Sequence, residues 1–172
     1  DSLNELRPWM VWAQQTPTVE ENERYVREAH IRFLKREDLP LLLFLKGTRT
    51  MVGTSGLHHI NWAVPKVEIG YWVRTPYAGQ GYITEAVAAV TAFAFTTLGA
   101  NRVEIRCDAK NERSVAVAHR SGFTLEGTLR CEDRCPMTNE LRDTLVFAKV
   151  RGEFRGFLKG MDTRFEREGD RF

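Results

Sequence analysis

The sequence is short of cysteine, of long apolar runs and of any excess of one charge. Three cysteines, Cys107, Cys131 and Cys135, occur in 172 residues, and no histidine pair stands beside the closest two. We therefore predict no metal site and expect buried or incidental thiols in a reducing cytosol. The 25 Lys and Arg against 23 Asp and Glu leave a formal net charge of +2, so no nucleic acid or membrane partner is required.

No stretch has the length and hydrophobicity of a membrane span, and the N-terminus lacks the basic, apolar and small-residue order of a signal peptide. We expect a soluble, cytoplasmic protein. A hydrophobic content of 42% over 172 residues suffices for one full core. The sequence therefore predicts a single domain over 1–172, with a core over 1–150 and a charged tail over 151–172 whose order stays open.

Apolar residues recur at helical intervals in two N-terminal segments. Residues 2–14 fit one helix with Ser2 as its N-cap. A second helix is predicted over 18–36, because Thr18 and Glu21 form a capping-box pattern. Its inward face is predicted to hold Tyr25, Ala29 and Phe33. We expect the two helices to cover one side of a sheet.

The rest of the chain alternates between strands and helices. Helices are predicted over 82–98 and 112–121, and strands over 41–45, 51–58, 67–73, 102–107, from 123 onward and over 141–150. The order is helices, a hairpin and a strand, then strand-helix-strand-helix-strand. It predicts a mixed α/β sheet in a three-layer fold.

A turn with two glycines, Gly79 and Gly81, lies between a predicted strand and the longest predicted helix of the C-terminal half. Glycines let a ligand approach the backbone, and amides freed at a helix start bind phosphate oxygens. No Gly-Lys-Ser or Gly-Lys-Thr follows, which argues against a P-loop nucleoside triphosphatase, and a dinucleotide fingerprint lacks its third glycine. The turn predicts a pyrophosphate site, with an ordinary strand-to-helix turn as the competing interpretation.

The residues around this turn resemble the GNAT superfamily of acetyltransferases. The family signature is Arg or Gln, two residues, Gly, one residue, then Gly or Ala, and residues 78–83 (AGQGYI) keep the central glycine but depart at both outer positions. Further segments look like the RimJ/RimL branch, which acetylates protein N-terminal amines. These are residues 67–72 (VEIGYW), 84–86 (TEA), 101–107 (NRVEIRC), 111–114 (NERS) and 122–127 (GFTLEG).

The resemblance implies a GNAT-like fold, with a mostly antiparallel central sheet flanked by helices, and acetyl-CoA as cofactor. It implies cofactor contacts from Trp72, Val73, Arg74, Ala78, Gly79, Gln80, Gly81, Tyr82, Ile83, Thr84, Asn111, Arg113 and Ser114. It also implies a strand ahead of the first helix. This sequence shows none, so either it is trimmed or another element caps that edge of the sheet.

Acetyl transfer from a thioester to an amine needs a base, a donor for the oxyanion and an acid for the leaving thiolate. The resemblance suggests Glu68, on the strand entering the turn, as the base. A late-loop carboxylate, Asp133 or Glu132, is the alternative, and water could relay the proton to either.

For the other two roles the resemblance is less complete. It implies an oxyanion donor in a backbone amide near Val73, at a bulge of that strand. Family members often have a tyrosine that acts as the general acid at the position where this chain has Ala118. Ser114 is then the candidate acid, with helix capping as its competing role. Asn111 is open to the same two readings, cofactor contact or N-cap.

Two adjacent histidines, His58 and His59, end the strand beside the proposed cleft, so one is expected to face the substrate and the other to point away. Glu132 is a further candidate substrate contact that suits any cationic amine. We predict transfer to a primary amine, foremost a protein N-terminal α-amine of the ribosomal-protein type. A polyamine, amino sugar or antibiotic is the alternative acceptor.

A non-catalytic acyl-CoA sensor is the rival from another class, since Ala118 and the altered glycine signature depart from the family pattern. Such a module would bind acetyl-CoA without turnover. The sequence leaves the oligomeric state open, with a homodimer as one option.

Overall fold

The computed structural model describes residues 2–154. Its helices are α1 (Leu3–Leu6), α2 (Val19–Lys35), α3 (Tyr82–Thr96) and α4 (Glu112–Arg120), with 3-10 turns at Val11–Gln14 and Thr75–Tyr77. Its strands are β1 (Leu39–Phe44), β2 (Met51–Asn61), β3 (Lys66–Val73), β4 (Arg102–Asp108), β5 (Thr124–Arg134) and β6 (Leu141–Val150). Of the tail predicted over 151–172, residues 155–172 lie outside the described residues.

The six strands form one sheet in the order β1-β2-β3-β4-β6-β5. Four of its five strand pairs are antiparallel, and only β3 and β4 run parallel. The predicted mixed α/β fold with a mostly antiparallel central sheet is therefore confirmed. Within residues 2–154 no helix is long and apolar enough to cross a membrane.

The parallel pair separates early. β3 and β4 pair at three positions only, the last being Glu68 with Glu104. Beyond it β3 continues to Val73 and β4 to Asp108 without pairing to each other. Because both strands end at the same edge of the sheet, the separation opens a gap directly beneath the turn that leads into α3.

The main core lies between α3 and the centre of the sheet. Ile83, Val87, Val90 and Ala94 of α3 are buried together with strand side chains such as Phe147, which is fully buried. A helix that buries this stripe is fixed against the strands along its length. Its N-terminus is thereby held at the gap between β3 and β4.

The single helix predicted over 2–14 is wrong. Helix α1 ends at Leu6, and a separate 3-10 turn follows at Val11–Gln14. Pro8 contributes to the break because it has no amide to donate to the carbonyl of Asn4, although Arg7 before it keeps helical backbone angles. Ser2 is the N-cap residue of α1, as predicted, but its side chain makes no capping bond, and its Oγ instead accepts a hydrogen bond from the amide of Thr75 at 2.8 Å.

The bounds of α2 and its capping box are confirmed, but its predicted inward face is partly wrong. Thr18 and Glu21 form both bonds of the box. Only Ala29 of the predicted face is buried, while Tyr25 is 56% and Phe33 40% exposed. Helical periodicity identifies which residues share a face, and here little of the described chain covers that face.

Candidate active site

A cavity of about 460 Å³ occupies the gap between β3 and β4. It brings together six residues that the sequence singled out: His59, Glu68, Asn111, Ser114, Glu132 and Asp133. Its walls come from the N-terminal segment, β3, β4, the start of α4 and the end of β5. Among residues 2–154 no three metal-ligating side chains converge, in this cavity or elsewhere.

The cavity opens towards both faces of the sheet. Successive strand residues point to opposite faces, so Glu68 and Tyr71, three positions apart, lie on different sides. Tyr71 reaches α4, where its hydroxyl contacts Ser114. Trp72, on the Glu68 side, packs on Trp12 of the N-terminal segment with ring centroids 5.5 Å apart. Both Glu68 and Tyr71 nevertheless line the cavity, because it passes through the unpaired part of the sheet.

Glu68 is held on the N-terminal side of the opening. Its Oε2 lies 2.9 Å from Nδ1 of His59, and its side chain is 19% exposed. His59 has a left-handed backbone with φ of 46°, and the register of β2 on β3 breaks between His58 and Asn61. This local bulge turns His59 towards Glu68.

The two histidines separate as predicted, but through the bulge rather than through strand alternation alone. His59 lines the cavity. His58 instead places Nδ1 2.5 Å from Oδ1 of Asp38, and Arg32 lies 3.6 Å from the other oxygen of that carboxylate. The predicted substrate role of His58 therefore has no support from its position.

Asn111 and Ser114 form the α4 side of the cavity. Oδ1 of Asn111 accepts a hydrogen bond from the Ser114 amide at 3.1 Å, so Asn111 is the N-cap of α4. The Ser114 hydroxyl does not cap this helix. Its Oγ lies 2.9 Å from the hydroxyl of Tyr71, which also lies 3.2 Å from the Ser114 carbonyl, so the single phenolic hydrogen has two possible acceptors on this serine.

Sequence reasoning missed Tyr71 and Cys107 as members of this site. Burial raises the pKa of Tyr71 to about 12, although its hydrogen bond to Ser114 acts in the opposite direction. Burial likewise raises the pKa of the Cys107 thiol, and the Ser114 side chain acts in the opposite direction. Both groups therefore stay protonated near neutral pH. The available signal was a tyrosine on the helix-covered face of an apolar strand, where its hydroxyl needs a partner.

The β3 backbone beside the cavity is unpaired on one side. The Arg74 amide donates to Val52 of β2 at 2.8 Å. Antiparallel alternation then turns the peptide groups of Tyr71 and Val73 away from β2, towards the gap. The bulge predicted near Val73 is absent, since β3 pairs with β2 without a break from Glu68 to Val73. The separation of β3 from β4 exposes these groups instead.

The glycine turn meets the start of α3 at the end of the gap. Gly79 and Gly81 have φ of 75° and 85°, and no atom lies within 4 Å of a Cβ placed at either position. Gly81 is the N-cap of α3 and supplies no side-chain hydrogen bond. The first amides of a helix have no intrahelical acceptor, so this turn presents free donors and the positive end of the helix dipole.

The other predicted cofactor residues are spread around this turn. Gln80 donates to the carbonyl of Pro76 at 2.9 Å, and Arg74 donates to the carbonyl of Met51 at 3.0 Å with its guanidinium over the Tyr77 ring. Ala78, Tyr82 and Thr84 are half-buried or exposed, and Arg113 is exposed on the first turn of α4. Ile83 is buried in the core and Trp72 faces the far side of the sheet, so neither side chain lies in the cavity.

Charged pairs line the cavity on the side formed by β4, β5 and β6. Arg106 of β4 donates to Glu132 at 2.9 Å, and the β5 ladder is irregular between Leu129 and Asp133. Arg142 of β6 donates to Oδ2 of Asp108 at 2.7 Å.

Arg142 also joins the N-terminal segment to this wall. Its side chain is 11% exposed and donates to the carbonyl of Pro8 at 3.2 Å and to the sulfur of Cys135 at 2.8 Å. Its guanidinium lies over the Trp9 ring, 5.1 Å from the centroid. Sequence reasoning missed this residue, because its four partners lie in separate parts of the chain.

A mixed sheet that opens between two parallel strands, beside a glycine turn and a helix N-terminus, is the architecture expected of an acetyl-CoA-dependent acyltransferase. The family model of the acetyltransferase (GNAT) domain matches residues 2–124. The chain belongs to this family, as the residues around the glycine turn predicted.

Two curated relatives carry names from ribosomal-protein acetylation. YdaF of Bacillus subtilis (strain 168), named as a ribosomal N-acetyltransferase, is 34% identical over 107 residues, which are 62% of this chain and 57% of YdaF. The ribosomal-protein-serine acetyltransferase of Escherichia coli (strain K12) is 29% identical over 125 residues, 73% of this chain and 69% of that protein. The chain thus spans little more than half the length of YdaF.

A solved structure shows the same architecture. RimJ of Mycobacterium smegmatis, in complex with a CoA-disulfide, superimposes with a TM-score of 0.80 at 25% identity. The match covers 88% of this chain and 73% of that chain.

Proposed function

We propose that this protein transfers the acetyl group of acetyl-CoA to the N-terminal α-amine of a protein. One observation carries the proposal: a single cavity through the sheet holds a carboxylate, Glu68, on one side and a hydroxyl, Ser114, on the other. The strand that carries Glu68, β3, leads into the glycine turn. Names from ribosomal-protein acetylation among the relatives support the acceptor.

The cofactor side of the cavity is the α3 and α4 side. The free amides of the glycine turn and of the α3 start suit a pyrophosphate, because they supply several N–H donors at the positive end of a helix. The unpaired peptide groups of Tyr71 and Val73 suit the amide-containing pantetheine arm. The thioester would then lie near Ser114, and an unpaired β3 amide would meet the developing oxyanion.

The acceptor side is the N-terminal side, where Glu68 takes the proton from the attacking amine. Its neighbour His59 orients the carboxylate through the 2.9 Å contact. The alternatives Glu132 and Asp133, which the sequence placed in a late loop, lie on β5 and are less suited to this role. Glu132 is engaged by Arg106, and Oδ1 of Asp133 accepts from the Arg134 amide at 2.7 Å.

Amine basicity favours an α-amine over a lysine side chain. An α-amine has a pKa of about 8 and a lysine of about 10.4, so roughly 200-fold more of the α-amine is the neutral nucleophile at pH 7. A site whose base is one carboxylate gains from an acceptor that loses its proton easily. This preference does not depend on the identity of the acceptor protein.

Release of CoA thiol from acetyl-CoA tests the proposal. The acceptors are peptides with free N-terminal serine or alanine, the same peptides with a blocked N-terminus, spermidine, an aminoglycoside and no acceptor. We expect turnover with the free peptides only. Turnover restricted to spermidine or the aminoglycoside would establish a small-amine acetyltransferase, and CoA binding without turnover would favour the sensor.

The Glu68→Gln variant tests the base in the same assay. We expect kcat/KM for the free peptide to fall at least about 100-fold at pH 7, the usual contribution of general base catalysis. The deficit should shrink above about pH 8, because the α-amine then loses its proton unaided. Glu23→Gln, the same change on the exposed surface of α2, is the matched control. Full activity of Glu68→Gln would move the base to Glu132, Asp133 or water.

A further inference from the structure

We infer that Tyr71 is a positioning residue that holds the Ser114 hydroxyl as a hydrogen-bond donor to the sulfur leaving acetyl-CoA. The inference rests on the proposed acetyl transfer and adds a residue to its leaving-group side. It concerns a side chain of β3 that reaches across the cavity to α4, over 43 positions of sequence.

The geometry leaves the Ser114 hydrogen available. A serine hydroxyl has one hydrogen to donate and two lone pairs to accept with. The Tyr71 hydroxyl lies 2.9 Å from Oγ and 3.2 Å from the carbonyl of the same serine, and Oγ is the nearer acceptor. With the phenolic hydrogen on Oγ, the Ser114 hydrogen points to a third atom. Asn111 fixes the serine backbone through its amide.

A sulfur atom already lines the cavity beside this donor. The Cys107 thiol of β4 shares the cavity with Ser114, whose side chain lowers the Cys107 pKa against the larger effect of burial. Burial keeps Cys107 in the neutral thiol form, which is a weak acceptor. A thiolate leaving an acyl group accepts a charge-assisted hydrogen bond of about twice the strength, so it would take the Ser114 hydrogen in preference to Cys107.

The pKa of Tyr71 decides whether the Tyr71–Ser114 pair gives a proton to the leaving sulfur or only a hydrogen bond. Burial raises the pKa of Tyr71 to about 12. An ordinary thiol has a pKa of about 8.5, so passing a proton from the phenol to the thiolate is uphill by more than about three pH units. The pair therefore stabilises the thiolate by hydrogen bonding without giving up a proton.

Acetyl transfer in this site involves one bond formed, one bond broken and two proton transfers. The amine nitrogen bonds to the carbonyl carbon, and the carbon–sulfur bond breaks with its electron pair on sulfur. The proton on nitrogen goes to Glu68, and the CoA thiolate takes a proton from water after it departs. Ala118, where family members often have a tyrosine, is fully buried in the core, so in this chain the phenol comes from β3.

A double-mutant cycle with a peptide acceptor tests the inference. We expect Ser114→Ala to lower kcat about 100-fold and Tyr71→Phe about tenfold, as for loss of a charge-assisted and a neutral hydrogen bond. The double variant should match Ser114→Ala alone, because Tyr71 acts only through the serine. The KM for acetyl-CoA and the calorimetric Kd for CoA should not change. Tyr25→Phe, the same deletion on the exposed face of α2, is the control.

Two further measurements separate positioning from structure and from proton donation. Ser114→Thr keeps the hydroxyl and should retain most of the activity that Ser114→Ala loses, which holds even if Tyr71→Phe folds poorly. A falling limb of the wild-type kcat between about pH 8 and 10 that Tyr71→Phe removes would identify the phenol as a proton donor, and we expect no such limb.

Different results would overturn this inference and the proposed function. Full activity of Tyr71→Phe, losses that multiply in the double variant, or a falling limb that Tyr71→Phe removes would each overturn the inference. Wild-type protein that binds CoA but acetylates no amine would instead overturn the proposed function, before any variant is compared.

Discussion

Helices α2 and α3 are alike in length, at 17 and 15 residues, and opposite in what they bury. Helix α3 buries six side chains, four of them in one stripe against the sheet. Helix α2 buries only Ala29, and it leaves Val26 63% exposed. A capping box and an exposed Glu23–Arg27 ion pair support α2 locally.

This difference indicates which helix suits the proposed cofactor site. Cofactor binding on backbone amides requires those amides to stay in place, because donors that must reorganise stabilise a ligand less. Helix α3 meets the requirement, since its N-terminus is anchored by Ile83 and Val87 within the first two turns. Neither helix contributes a side chain to the lining of the cavity, so α3 would act on a cofactor through the amides at its N-terminus.

The largest expected effect is on folding. Val87→Ala removes two fully buried methyl groups and should lower the free energy of unfolding by about 2 kcal/mol, from lost burial and the cavity left behind. Val26→Ala makes the same change on α2 and should alter stability by less than about 0.5 kcal/mol. Urea denaturation of the two variants checks this. Equal losses of unfolding free energy in the two variants would contradict the difference in burial between the two helices.

A smaller effect is expected at the glycine turn. Gly79 and Gly47 share a φ of 75°, and at neither position does any atom lie within 4 Å of where an alanine methyl group would be. Alanine at either site should cost about 1 kcal/mol of backbone strain. Only Gly79→Ala should also weaken CoA binding, measured by calorimetry, because only this turn would have a ligand close to its backbone. Unchanged affinity would show that the cofactor does not approach Gly79.

The smallest effect is expected at the start of α2. Thr18→Ala removes the hydroxyl that accepts from the Glu21 amide at 3.1 Å, and should lower stability by about 1 kcal/mol or less. Acetyl transfer should not change. Thr16→Ala, at an exposed threonine two residues earlier, is the control for urea denaturation and for kcat. A loss of activity in Thr18→Ala alone would give α2 a role in the site.

Local sequence signals predicted most of the elements. The helical period of α3, the capping pattern of α2 and the cap at Asn111 are short-range features, and all three occur in the structure. The single helix predicted at the N-terminus was wrong because the spacing of apolar residues takes no account of the amide that Pro8 lacks. The predicted burial of one face of α2 was wrong because helical periodicity does not reveal whether other parts of the chain cover that face.

Residues of the site were predicted where a family motif marks them, and missed where only tertiary contacts do. Glu68 and Ser114 stand in recognisable segments and line the cavity. Tyr71 stands beside them, but its role depends on a contact across 43 positions. Arg142 bonds Pro8, which is 134 positions away. Such contacts follow from the separation of β3 and β4, which no local pattern encodes.

The most direct test of the account is to locate the acetyl group on a peptide product. Wild-type protein is incubated with acetyl-CoA and a peptide that carries a free N-terminal serine and an internal lysine, and fragment-ion mass spectrometry assigns the modified nitrogen. The account predicts acetyl on the α-amine and none on the lysine at pH 7. Acetyl on the lysine alone, or an unmodified peptide beside acetylated spermidine, would contradict it.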